Sequence, residues 1–175
     1  MANLPDNISI RFIRESDVAA FKALRLEALR EHPEAYGMDF EEETAQPDSV
    51  WNDRVGKAAG DPSGSIVLAD AGEELAGMVG VWRGTGVKTR HEANIWGVYV
   101  RPKYRGHKLT DQMIVEALGW CRGGNVRIVR LTVVTCNASA VRCYQRAGFM
   151  VCGVSPEKIR IGDVYYDDLM MWRRV

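Results

Sequence analysis

Apolar and polar residues alternate near the start of the chain, where Ile8, Ile10 and Phe12 are separated by Ser9 and Arg11. A period of two predicts a strand with one buried face. The period then lengthens. Val18, Phe21, Leu24, Ala28 and Leu29 recur at helical spacing, so a helix capped by Ser16 or Asp17 is predicted through Glu31 and stopped by Pro33. Between residues 34 and 64 the periodicity is weak, with an acidic run at Glu41, Glu42 and Glu43 and an isolated Trp51. That segment reads as a short helix between mobile loops. Residues 65–70 and 75–83 read as a hairpin turning at Ala71 and Gly72, and 93–100 as a further strand closed by Pro102. A strand, then helices, then three successive strands point to an antiparallel meander with helices packed on it.

The second half changes character. Leu109, Met113, Ala117, Trp120 and Cys121 keep a helical stripe that ends at Gly123 and Gly124. Residues 126–135 are β-branched and nearly continuous in apolar side chains, as expected of a strand covered on both faces. A second helix over 138–147 leads through Gly148 into a strand at 149–154, and a last strand is expected near 165–172. With no internal repeat or composition break, residues 1–175 read as one domain of roughly ordinary size.

Composition adds a boundary on function. The chain is 46% apolar and 26% charged, which suits a folded domain rather than a disordered one. Its 23 basic and 23 acidic residues cancel. The cancellation hides a division, because residues 1–90 hold 10 basic and 16 acidic side chains while 91–175 hold 13 and 7. An anionic ligand is expected on the second half. No apolar run approaches the roughly 20 residues of a membrane span, and residues 1–6 lack a charged and then apolar leader, so a cytoplasmic location without membrane contact is expected. Cys121, Cys136, Cys143 and Cys152 form no C-x-x-C pair and His32, His91 and His107 stand alone, so no metal site is expected. Cys143 reads as a small buried hydrophobe rather than a nucleophile.

Candidate chemistry concentrates in the turn from Arg101 to Thr110. It joins a strand to a helix and carries Arg101, Lys103, Arg105 and Lys108 without an acid. A helix N-terminus presents unpaired N–H groups and about half a positive charge, so such a turn can hold a phosphate. Gly106 lets backbone approach closely, and Arg105, Lys103 and Lys108 would supply counter-charge; a solvated basic loop is the competing reading. Neither a P-loop nor G-x-G-x-x-G is present. A nucleic-acid interface is disfavoured, since four cations in one loop make a small footprint.

These residues resemble the GNAT superfamily of GCN5-related N-acetyltransferases. Val98 through Gly106 are similar to its acetyl-CoA segment, a splayed strand followed by an R/Q-x-x-G-x-G/A turn, and Asn137, Ala140, Tyr144, Gly148 and Phe149 match its N-x-x-A-x-x-x-Y-x-x-x-G-F helix. The resemblance covers about residues 65–172, with weaker similarity at His32 to Gly37 and Tyr165 to Met171. It implies a mixed α+β fold of one GNAT-type domain, with a mostly antiparallel sheet splayed between the fourth and fifth strands and helices on both faces. It implies acetyl-CoA as co-substrate, a small-molecule or peptide amine as acceptor, and direct transfer in a ternary complex; a homodimer is left open. A CoA-binding sensor without turnover is the alternative.

The resemblance also distributes roles. Backbone groups of Val98, Tyr99 and Val100 would hold the pantetheine arm, residues Arg105, Gly106, His107, Lys108, Leu109 and Thr110 the pyrophosphate, and Asn137 would orient the cofactor, cap the helix, or do both. Lys108 and Thr110 depart from the family's Gly and Gly/Ala. Cofactor binding is expected to survive, with Lys108 pointing outward at negative φ. Tyr144 would protonate the departing thiolate. Freeing an amine of Lys-like pKa at pH 7 costs roughly 4.6 kcal/mol, against about 1.4 for an α-amino group, so an acceptor of the first kind needs a base. Glu92 is the nearest acidic candidate, acting directly or through water, with a surface carboxylate at a strand edge as the competing reading and a base from elsewhere, or none, left open.

Overall fold

The computed structural model describes residues 8–175; the stretch 1–6, read above for a leader, lies outside the described residues. Strand β1 (Ser9–Phe12) is followed by α1 (Val18–Glu31), α2 (Phe40–Thr44) and α3 (Asp48–Gly60). Strands β2 (Gly64–Asp70), β3 (Leu75–Arg83) and β4 (Glu92–Val100) complete the meander, and α4 (Leu109–Gly123), β5 (Ile128–Val134), α5 (Ala138–Arg146), β6 (Met150–Ile161) and β7 (Val164–Arg174) follow. The seven strands form one sheet in the order β1-β2-β3-β4-β5-β7-β6. All neighbours are antiparallel except β4 and β5, which run parallel. This is the expected α+β architecture, with the sheet splayed at that parallel pair.

Burial explains why the helices take both faces. In β2, Ile66 and Leu68 point one way and Val67 and Ala69 the other, and all four are buried. The first pair packs with Phe21, Leu24 and Ala28 of α1 and with Trp51 and Val55 of α3. The second meets Leu109, Met113, Ala117 and Cys121 of α4. At the entry to α1, Asp17 accepts from the Arg14 N–H at 2.7 Å and from Arg11 at 2.7 and 2.8 Å. The Arg11 contact, ahead of the backbone bond, holds the Asp17 carboxyl below its ordinary range.

Three elements differ from expectation for physical reasons. The segment 34–64 holds the 13-residue helix α3 rather than a short helix between loops. Only Trp51 and Val55 of α3 are buried, four residues apart, which is too sparse a stripe to register as periodicity. Strand β6 continues to Ile161 and pairs with β7 through a turn at Gly162 (φ 57°). Most of its side chains are exposed on both faces, so its outer half shows no alternation to read. Strand β5 is only partly covered on its second face: Val129, Leu131 and Val133 are buried on one face, whereas on the other Val134 is buried, Ile128 and Arg130 are half-buried and Thr132 is exposed. Among the described residues no helix is long and apolar enough to cross a membrane.

The local feature that shapes the sheet is a bulge in β4. Met78 pairs with Tyr99 but Gly80 pairs with Trp96, so β4 carries one residue more than β3 across this interval. Gly97 sits in the extra length at φ 62°, a conformation glycine adopts without a Cβ penalty. Opposite it, a Cβ on Gly80 would lie 2.2 Å from the Trp96 ring, so the indole is laid across a glycine.

Candidate active site

Strands β4 and β5 pair from Glu92 with Ile128 to Asn94 with Arg130, and then part. The gap opens into a cleft of about 900 Å³ between Ile95 to Val100 on one wall and Thr132 to Val134 on the other. The start of α4 and one face of α5 close its remaining sides. Of the residues selected from sequence, Val98, Tyr99, Val100, Arg105, Gly106, Lys108, Leu109, Thr110, Asn137 and Tyr144 all line this cleft. His107 and Glu92 do not.

The turn is less basic in space than in sequence. Arg101 pairs with Glu27 at 2.8 Å and with Glu74, and Lys103 pairs with Glu74 as well. Tyr99 donates to Glu27 at 3.0 Å and Tyr104 to Glu74 at 2.8 Å. Burial first, and then the Glu27 bond, pushes the Tyr99 phenol up to about 12. Arg105 lines the cleft, where its Nε donates to the Val100 carbonyl at 3.0 Å and a terminal nitrogen lies 3.1 Å from His32 Nε2. Of the three side chains expected to supply counter-charge, only Lys103 is in an ion pair among the described residues; Arg105 and Lys108 are in none.

Lys108 corrects an expectation. Its φ is 56°, left-handed, where negative φ was anticipated. It precedes α4 directly, in the conformation the family's glycine would take, and keeps the path of the loop at the cost of a Cβ in a strained region. Lys108→Gly is therefore expected to raise stability by about 0.5–1 kcal/mol, a midpoint shift of roughly 1–4 °C in thermal unfolding. A fall of that size would show that side-chain contacts outweigh backbone strain there.

Helix α5 presents Tyr144. Asn137 begins it by accepting at Oδ1 from the Ala140 N–H at 3.1 Å and from the Ser139 hydroxyl at 3.0 Å, so the capping role is present in the free protein. Tyr144 is 5% exposed and meets Phe149 edge-on at 6.2 Å between ring centroids. Burial raises its phenol well above the ordinary value. The adjacent Cys143 thiol is pushed up to about 11, again chiefly by burial, which suits a packed hydrophobe and not a thiolate nucleophile.

Glu92 is not in the cleft because it lies at the closed end of the β4–β5 pairing. Arg130 donates to its two oxygens at 3.1 and 3.2 Å, and this contact holds its carboxyl below the ordinary range. A carboxylate stabilised in its charged form is a poor proton acceptor. The carboxylates that do line the cleft are Glu34 and Asp111, the latter paired with Arg146 at 3.3 Å. Asp168 of β7 is also buried, and burial raises its carboxyl. Among the described residues no group of three or more His, Cys, Asp or Glu is placed to hold a metal.

Where the bulge opens, Tyr36 of the segment His32 to Gly37 meets Arg25, which the sequence did not single out. Tyr36 donates to the Val98 carbonyl at 2.9 Å, and burial lifts its phenol to about 12. Beside it Arg25 of α1, 5% exposed, lies with its guanidinium carbon 4.7 Å from the Tyr36 ring centroid and 5.8 Å from that of Trp96. Arg25 stands four residues after Phe21 and three before Ala28, inside the apolar stripe of α1; that placement was the available signal. Here Arg25, Met38 and Trp96 also line a second cavity of about 370 Å³ reaching beneath α3. Segment 34–64 contributes residues to both cavities, from Glu34 to Met38 in the cleft and Trp51, Arg54 and Lys57 in the second, whereas the loop 84–90 lines neither. In the acidic run Glu43 is buried against Arg54, while Glu41 and Glu42 are exposed.

A splayed sheet of this order, with a helix N-terminus and a tyrosine facing the opening, defines an acyl-transfer fold, and comparison with known proteins agrees. The structure superposes on an acetyltransferase of the GNAT family from Streptococcus pneumoniae with a TM-score of 0.85, at 22% identity, covering 96% of this chain and 99% of that one. It also superposes on a ribosomal-protein-alanine N-acetyltransferase from Brucella melitensis with a TM-score of 0.74, at 18% identity, covering 95% and 99%. Over 145 residues the sequence is 29% identical to the mycothiol acetyltransferase of Brachybacterium faecium, which is 81% of this chain but 40% of that protein. The chain thus spans about two fifths of that curated relative's length. The model of the acetyltransferase (GNAT) family matches residues 21–149, and the chain belongs to that family.

Proposed function

We propose that this chain transfers an acetyl group from acetyl-CoA to the amine of a small-molecule or peptide acceptor by direct attack within a ternary complex. The observation that carries the reading is the cleft itself, in which a bulged strand edge, a helix N-terminus and Tyr144 face one opening. The pantetheine arm lies along β4 as an added strand would, taking hydrogen bonds from the N–H groups of Val98 and Val100. Their carbonyls already accept from Tyr36 and Arg105, which leaves the donors as the principal free groups. The pyrophosphate meets the amides that begin α4, with Lys108 beside it.

In the transfer step the amine nitrogen attacks the thioester carbonyl carbon and the C–S bond breaks. The sulfur leaves as a thiolate and takes a proton from Tyr144 Oη, while the surplus proton of the amine passes to water in the open cleft. A thiol near pKa 8.5 is more acidic than a phenol of raised pKa, so the proton stays on Tyr144 until negative charge develops on sulfur, and the phenolate then takes back the proton that the amine released to water.

Calorimetric titration with acetyl-CoA tests the cofactor reading, and release of free thiol with a panel of amines tests turnover. Saturable binding within the roughly 1 µM–1 mM range usual for enzyme substrates is expected. Absence of binding at millimolar cofactor would end the proposal, whereas binding without thiol release would leave a CoA-binding module.

A further inference from the structure

Arg25 is the one side chain at the head of the cleft whose chemistry the transfer step does not use. A buried guanidinium is ordinarily paired, because removing its charge from water is costly and its five donors call for acceptors. Arg25 has no ion-pair partner among the described residues, its nearest polar contact is one terminal nitrogen 3.6 Å from the Met38 sulfur, and Nη1 is buried with no hydrogen-bond partner. Glu43, the acid whose charge it senses, already gives both oxygens to Arg54. The orphan nitrogen also lies at the mouth of the bulge, 3.7 Å from where a Cβ on Gly97 would stand.

What surrounds the guanidinium narrows the ligand. Tyr36 and Trp96 flank it, Arg25 lines both cavities, and its fork of donors matches a planar two-oxygen anion. The cavity of about 370 Å³ beyond it is walled by Phe21, Trp51, Ile66, Val81, Trp82 and Trp96. Its charged lining, apart from Arg25, is Arg54, Lys57 and Asp61, so it offers no acidic cluster to a cationic group. The cleft side leads along β4 to Tyr144. Three demands therefore meet at one point: an amine toward the cleft, an anion on Arg25 and an apolar group in the second cavity.

Resting on the acetyl-transfer reading, we infer that Arg25 is an acceptor-recognition residue that binds the carboxylate of an α-amino acid bearing a large apolar side chain, with the side chain in the cavity beneath α3 and the amine directed at the thioester. Only a carbon carrying all three groups satisfies the site from one molecule. A peptide N-terminus lacks the adjacent carboxylate and leaves Arg25 unpaired, and a polyamine places a second cation beside it.

The test compares L-phenylalanine with L-phenylalaninamide, in which a neutral amide replaces the carboxylate and makes the amine less basic, at a pH where both amines are largely unprotonated. Thiol release should favour the acid by about tenfold or more in kcat/KM, and Arg25→Gln should erase the preference while acetyl-CoA affinity holds, a loss on the scale of a truncated buried charge pair. Arg25→Lys, which keeps a charge without the planar fork, should recover part of it. Independently of turnover, calorimetry of 3-phenylpropionate and 3-phenylpropionamide with the CoA-saturated protein should show the acid bound at least about tenfold more tightly, and Arg25→Gln should abolish the difference. Equal binding or turnover of acid and amide, no binding of either, or a preference that survives Arg25→Gln would overturn the assignment. Carboxylate binding without any thiol release would keep the anion site and sink the acetyl-transfer reading instead. Where Arg25→Gln fails to fold, the acid-to-amide ratio of the unaltered protein decides.

Discussion

Tyr144→Phe is expected to lower kcat by about 10²–10⁴-fold, the usual contribution of a positioned general acid, while the dissociation constant of acetyl-CoA stays within about twofold. The substitution removes one oxygen and keeps the ring that packs edge-on against Phe149, so the variant should fold. The pH profile sharpens the test. Burial raises the Tyr144 phenol above its ordinary value near 10, and a group with a raised pKa holds its proton at every pH below that value. In kcat/KM no alkaline limb from this acid should therefore be seen below about pH 10, and the rate should climb with pH as the acceptor ammonium loses its proton. Steady-state rates from pH 6 upward in both proteins check this. A Tyr144→Phe enzyme with unchanged kcat would remove the residue from the chemistry.

Trp51→Ala is expected to cost about 3–5 kcal/mol, lowering the thermal midpoint by roughly 6–20 °C. Trp51 is 0% exposed, lies 6.3 Å from Phe21 in an edge-on arrangement, and joins α3 to the core on the α1 face of the sheet. Its indole N–H is buried with no partner. Trp51→Phe removes that donor and keeps most of the ring, so it should lose less, on the order of 1–3 kcal/mol. Chemical denaturation of both variants measures the difference. An alanine variant within about 1 kcal/mol of the natural protein would mean that α3 contributes little to the core, contrary to the burial observed.

The two residues illustrate what could be read in advance. Tyr144 was legible because Asn137, Ala140, Gly148 and Phe149 stand at fixed offsets around it, and its helix is short, capped and amphipathic. Trp51 was visible only as an isolated aromatic, since its helix buries just one further residue, Val55. Glu92 misled for a complementary reason. Its position beside the cofactor strand is a sequence fact, but the strand's far end is zipped to β5, and Arg130 arrives there from 38 residues away. The acids that neutralise Arg101 and Lys103 likewise come from α1 and from the β2–β3 turn. Of the four cations of a basic loop in the sequence, two became ion-paired in space.

By itself the sequence determined the succession of elements wherever one face is buried, because hydrophobic period and caps act over a few residues. It also carried the strand-to-helix turn and the capped tyrosine helix, whose functional groups are close in the chain. The partners of each charge were decided only by tertiary structure, since Coulomb attraction and desolvation depend on distances between elements that no local pattern encodes. The left-handed Lys108, the bulge at Gly97 and the unpaired Arg25 belong to that second group. Lys108 and Arg25 are residues whose local preference is overruled by what packs around them, Gly97 is one whose backbone freedom the bulge uses, and together they set the shape and charge of the site.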